Sequence, residues 1–203
     1  MEDRLILYHR QRRQRQQERK ELAAQSCYSL IIVIIALIVL RPLMVSHILS
    51  RANAYSAVGQ LDESRRQCDK ALLIDDNSSD AWAQLARIHK TKGDREAAFD
   101  AYTRAVQADC THRAANFELG MLYTDDNQHQ LAIPYFEQVR RLGSGTTVPG
   151  RTEPASYYRA ALHMLLQCYE KVGDQVKTEL TRREIRVFYP DSGYPQPSPT
   201  YPQ

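Results

Sequence analysis

The chain has 203 residues, a net charge of +3, four cysteines and six histidines. That length holds one folded domain beside a membrane anchor, and the scattered cysteines do not form a disulfide framework. The basic excess lies in the first twenty residues with only Tyr8 and His9 nearby, so nucleic acid is not expected as a partner.

In chain order, residues 1–21 form a basic segment containing Arg4, Arg10, Arg12, Arg13, Arg15, Arg19 and Lys20. Residues 22–42 follow as an expected transmembrane signal anchor: from Leu22 to Leu40 no charge interrupts the apolar run. At the helical rise this run reaches roughly 28 Å, close to the thickness of a bilayer core. Only Arg41 and Arg51 fall shortly after it, so the positive-inside rule leaves the amino terminus in the cytoplasm and the rest of the chain on the opposite side. In a bacterium that arrangement means an inner-membrane protein with an extracytoplasmic domain; the alternative is a domain that faces the cytosol. Ala52-Asn53-Ala54 has the look of a cleavage site, but it lies a dozen residues past the apolar run, and cutting there would remove part of the first repeat.

Residues 43–142 carry a repeat. Gly59, Gly93 and Asn127 stand 34 residues apart, and other columns keep the same offset: Ala52, Ala86 and Gly120; Tyr55, His89 and Tyr123; Cys68, Tyr102 and Phe136; Ala71, Ala105 and Val139. A small and a large residue recurring one helical turn apart predict helices that approach closely and plug the adjacent gap. The period predicts stacked helical hairpins.

The middle copy, Trp82-x-x-Leu85-Ala86-x-x-His89-x-x-x-Gly93 followed by Ala98, Tyr102 and Ala105, resembles the tetratricopeptide repeat family. The first copy, about Val45 to Ser78, lacks the tryptophan, and Asp76 and Cys110 stand where the family often has a closing proline. The resemblance implies an all-α chain: one N-terminal transmembrane helix, then an αα-superhelix of three repeats and a capping helical hairpin. It also implies a protein-binding scaffold, without naming a ligand.

Residues 143–154 are a Gly/Pro-rich insertion that moves the next turn, at Gly173, to 46 residues after Asn127. Residues 155–188 are expected to form the fourth hairpin. Leu162, Leu165, Leu166 and Tyr169 would pack on the third repeat, and a polar helix from Gln175 to Phe188 would cap the stack. Residues 189–203 are a Pro/Tyr-rich tail whose five prolines disfavour helix.

No common catalytic pattern occurs, and His163 and Cys168, five apart on one helix, are poorly placed as base and nucleophile. The expectation is therefore no enzyme, no cofactor and no small-molecule substrate. Asp75 to Asp80 is acidic but lacks the glycine and the bidentate glutamate of a calcium loop, so turn and capping chemistry is expected there and at Asp125-Asp126-Asn127, and no metal site.

In the family the first helix of each hairpin lines a concave groove. By that resemblance Asn53, Gln84, Arg87, Lys90, Phe117 and Met121 are the candidate partner-binding residues, joining cationic and apolar positions. Leu49, Ala114 and Glu118 stand where relatives that grip chaperone carboxyl termini carry basic residues, which argues against that ligand. The reading reached from the sequence is a membrane-anchored interaction scaffold, an assembly factor or accessory subunit whose protein partners are themselves membrane-bound, touching the bilayer through residues 22–42. The alternative is a cytosol-facing membrane receptor for client proteins or targeting peptides.

Overall fold

The computed structural model describes the backbone of residues 2–143 and 156–189. These residues form the helices α1 (Glu2–Ala57), α2 (Leu61–Ile74), α3 (Ser79–Lys92), α4 (Arg95–Ala108), α5 (Arg113–Asp125), α6 (His129–Arg141), α7 (Ser156–Val172) and α8 (Gln175–Phe188). The fold is all-α, with tetratricopeptide-like hairpins. It divides into two units, Met1–His47 and Ile48–Gln203, with the division inside α1. Most of the insertion and all of the tail beyond Tyr189 lie outside the described residues.

In the first unit α1 continues through Pro42. Its stretch from Tyr28 onward is long and apolar enough to cross a bilayer, and only 6% of its most apolar window is buried. Leu30, Ile32, Ile35 and Ile38 are all exposed. So many bare aliphatic side chains in water would forfeit about 25 cal/mol for each Å² left uncovered.

In the second unit each hairpin turns by the same device. Gly59, Gly93 and Gly173 have φ of 77°, 81° and 82°, and Asn127 has φ of 58°. This left-handed conformation suits glycine, and asparagine tolerates it best among the rest. Each turn closes with an amide of the next residue donating to the carbonyl of the ring position. Gln60 donates to Tyr55 at 2.9 Å, Asp94 to His89 at 2.9 Å, Gln128 to Tyr123 at 2.9 Å and Asp174 to Tyr169 at 3.0 Å. The column of rings is thus also the column of carbonyls that end the first helix of each pair.

Four of the helix starts are fixed by side-chain caps. Ser78, Asp94, His112 and Asp174 each accept the amide hydrogen of the residue three positions on, satisfying one of the free donors of a helix start. His112 was not legible as a cap from sequence. Its Nδ1 accepts from the Ala115 amide at 3.1 Å while Nε2 lies 3.3 Å from Asp80, so the imidazole ties α5 to the start of α3.

The repeat columns are the core. Ala52, Ala86, Cys68, Ala71, Ala105, Phe136 and Val139 are buried, as are Gly120 and Tyr102. Burial pushes the Cys68 thiol up to about 12, which leaves it an unreactive packing group. Helices adjacent in sequence pack on one another from α2 to α6 and from α6 through α7 to α8, and α5 also reaches α7. A separate cluster of Tyr158, Leu162, Leu166 and Ile185 joins α7 to α8.

The last helix departs from the expectation of a polar cap. Thr178 faces inward and returns its hydroxyl to the Asp174 carbonyl at 2.7 Å, and Arg182 reaches Glu170 on α7 at 2.9 Å. Thr178 thus satisfies itself within its own turn while Arg182 reaches α7, and the opposite side of α8 presents Val176, Leu180 and Val187 to solvent. A threonine can fill a small-residue position because its hydroxyl finds a carbonyl in its own turn.

Candidate functional site

The six groove candidates fall on three successive first helices: Asn53 on α1, Gln84, Arg87 and Lys90 on α3, and Phe117 and Met121 on α5. Asn53, Arg87 and Lys90 are exposed, Phe117 and Met121 half-buried and Gln84 buried. The spacing by one repeat brings the polar ones together. Arg87 Nη2 lies 3.4 Å from Asn53 Oδ1, 34 residues away, and also donates to the Gln84 amide oxygen. Gln84 Nε2 donates to Ser56 Oγ at 3.0 Å, Ser56 shares a hydrogen with Ser64 at 2.8 Å, and Ser64 donates to the Ala52 carbonyl at 2.8 Å. Gln84 is therefore spent inside a ladder that joins the first two hairpins.

Lys90 reaches forward instead, donating to Glu118 Oε2 on α5 at 2.5 Å. The pair is half open to water, with the ammonium half-exposed, so its contribution to stability is small. Beneath it, the Tyr102 hydroxyl is buried without a hydrogen-bond partner among the described residues. Burial, and then the charge of Glu118, push that phenol above its ordinary range.

The apolar half of the groove is built from rings. Phe117 meets Phe136 edge-on at 5.6 Å and Tyr157 of α7 at 5.4 Å, and Met121 packs on the same cluster. Tyr157 was not among the expected site residues, because the insertion before it hides its register from a fixed 34-residue offset. The combined surface offers exposed guanidinium and ammonium groups beside a half-covered aromatic and thioether patch.

Elsewhere the chemistry is structural. Cys168 is buried 3.8 Å from Thr124 Oγ1 and 4.0 Å from His129 Nδ1, and burial raises its thiol rather than activating it. Its neighbour is thus His129 and not His163, whose imidazole is lowered by burial and by Arg159. Asp75 accepts from the Asn77 amide at 3.2 Å in a turn, and no group of metal-binding side chains occurs among the described residues. Asp125 and Asp126, expected as turn formers, also receive Arg95 of α4 at 3.3 and 2.7 Å.

These hairpins define a helical-repeat protein. Residues 79–110 and 114–141 match the tetratricopeptide repeat model, so the chain contains tetratricopeptide repeats. Among solved structures, a crystal structure of MamA protein is similar at 21% identity, covering 73% of this chain and 78% of that one, with a TM-score of 0.54. MamA from Desulfovibrio magneticus RS-1 is 16% identical over 72% of this chain and 76% of that one, with a TM-score of 0.55. An O-GlcNAc transferase mutant from Thermobaculum terrenum is 20% identical over 73% of this chain, with a TM-score of 0.55, but only 27% of that chain is covered. Such identities carry the fold and not the activity. No curated protein matches this chain significantly.

Proposed function

We propose that this chain is a membrane-anchored interaction scaffold, an assembly factor or accessory subunit that holds other membrane-bound proteins through the groove of its repeats. The observation that carries the reading is the pairing, on adjacent helices α3 and α5, of exposed Arg87 and Lys90 with half-buried Phe117 and Met121. Such a surface fits a peptide with one acidic and one apolar anchor, in extended or helical form. Glu118 already occupies the Lys90 ammonium and would repel a carboxylate placed there, so the acidic anchor is met first by Arg87, whose side-chain partners Asn53 and Gln84 are neutral.

The anchor reading is supported by the apolar stretch of α1 from Tyr28 onward and its low burial. The excess of arginine before that stretch supports a cytoplasmic amino terminus and extracytoplasmic repeats in a bacterial inner membrane. The second reading, a cytosol-facing receptor for clients or targeting peptides, has the same groove and the opposite sidedness.

The test combines a tag after Gln203 with a photo-crosslinking amino acid at Lys90, in intact cells and in spheroplasts. External protease should remove the tag, and light should join position 90 to another membrane protein. A protected tag in sealed membranes overturns the extracytoplasmic reading in favour of the receptor. Adducts only with lipid, or none, overturn groove binding itself.

A further inference from the structure

The exposed apolar stripe of α8 is unlike the rest of the repeat surface. Val176, Leu180 and Val187 are 71%, 54% and 75% exposed, at spacings of four and seven residues. They share one face with Arg183, opposite the buried Thr178, Thr181 and Ile185 that meet α7. In a solenoid this is the face against which a further helix would stack.

We propose that the chain's own tail, residues 190–203, docks back over this stripe. Three observations converge on that occupant. The stripe is narrow, one side chain wide and about 16 Å long by the helical rise, whereas a stable interface with a second copy needs about 800 Å² on each side. A single extended strand fits such a ridge and a subunit does not.

The chain also leaves α8 within reach of the stripe, two residues past Val187. The Tyr189 amide donates to the Ile185 carbonyl at 2.8 Å, and its ring packs beside Tyr158, Leu162 and Leu166 under the Arg159 guanidinium, 5.1 Å away. The described chain therefore ends on the α7 side of α8, and the segment that follows has to pass around the end of the helix to reach the stripe.

Finally, the composition of residues 190–203 suits the task. It has five prolines, the rings of Tyr194 and Tyr201, and a single charge at Asp191. Prolines disfavour a ninth helix, and they bring no amide hydrogens that would need partners on an apolar ridge. At about 3.1 Å per residue the segment reaches about 40 Å, more than twice the stripe. Tyrosine rings bring apolar area with little loss of rotamer freedom.

The test places a benzoylphenylalanine at Leu180 of the full chain in detergent micelles, with isotopically labelled and unlabelled chains mixed. Light should join position 180 to the peptide holding residues 190–203, within one chain. Replacing Tyr194→Ala and Tyr201→Ala together should lower that yield about fivefold or more. Adducts between labelled and unlabelled chains would assign the stripe to a second copy. Adducts with detergent, or none, would leave it bare, and either result overturns the proposal. Because the probe stands on α8 and not in the groove, failure here leaves the groove reading untouched.

Discussion

A β-carbon placed on Gly120 would stand 2.7 Å from the ring of Phe136, closer than real side chains approach. The two residues belong to the small and large columns of the third hairpin. The equivalent pairs are Ala52 with Cys68 and Ala86 with Tyr102; since an alanine stands beside a ring in the second hairpin, it is the close approach of the Phe136 ring, and not a ring as such, that requires glycine at position 120. Gly120→Ala should therefore destabilise the repeats although alanine is the better helix former. The helix gains about 1 kcal/mol, while overpacking a filled core costs about 1–3 kcal/mol. Thermal melting should show a net loss of a few degrees, and Phe136→Leu in the same chain should recover it. A higher melting temperature for Gly120→Ala alone would show that the ring has room to move.

Much of this packing was legible because a 34-residue period repeats sterically demanding pairs, which leaves few alternative registers. What escaped was what the period does not encode. The role of His112 as a cap depends on Asp80 in a neighbouring hairpin, and Tyr157 joins Phe117 only after an insertion shifts the register. The exposed apolar side chains of α8 are also outside what the period encodes, because Thr178 and Arg182 stand at its small and large positions and give the helix a polar look. The first satisfies itself within its turn and the second pairs with Glu170.

The turn column gives a second prediction. Asn127, at φ 58°, does the work that glycine does at Gly59, Gly93 and Gly173. Asn127→Gly should be neutral to stabilising by about 0.5 kcal/mol, since relief of the left-handed penalty is partly offset by greater freedom of the unfolded chain. Gly93→Ala should cost about 1 kcal/mol, because a side chain there is strained even though nothing crowds it. Urea unfolding of the three proteins would measure both differences, and equal stabilities would mean the turns relax out of the left-handed region.

Lys90 offers a test of the groove that stability does not confuse. The Lys90 ammonium that meets Glu118 is half-exposed, so Lys90→Ala should alter stability by less than about 1 kcal/mol. Under the proposed function, crosslinking through a probe at exposed Arg87 should fall about tenfold in the Lys90→Glu chain, where an acidic anchor meets two carboxylates. An unchanged yield, with melting unchanged, would move the binding surface elsewhere.

The junction of α6, α7 and α8 predicts a loss of stability at high pH. Arg140 of α6 reaches Glu184 of α8 at 2.7 Å, and the Tyr158 hydroxyl of α7 donates to the same carboxylate at 2.6 Å. Tyr169 likewise donates to Glu137. Burial first, and then the bond to glutamate, raise both phenols above their ordinary range. An acid whose folded value is raised contributes its stability in full below its unfolded value, near pH 10 for tyrosine, and loses it as pH climbs through the folded value. The melting temperature should therefore fall more steeply above about pH 10 in the native chain than in one carrying Tyr158→Phe and Tyr169→Phe. Tyr102 and Tyr135, also raised by burial, remain in both chains and supply the shared part of the decline. Below that pH the double variant should be the less stable of the two, because it lacks both hydrogen bonds to carboxylates. Parallel curves across the alkaline range would mean that these phenols exchange their glutamate partners for water.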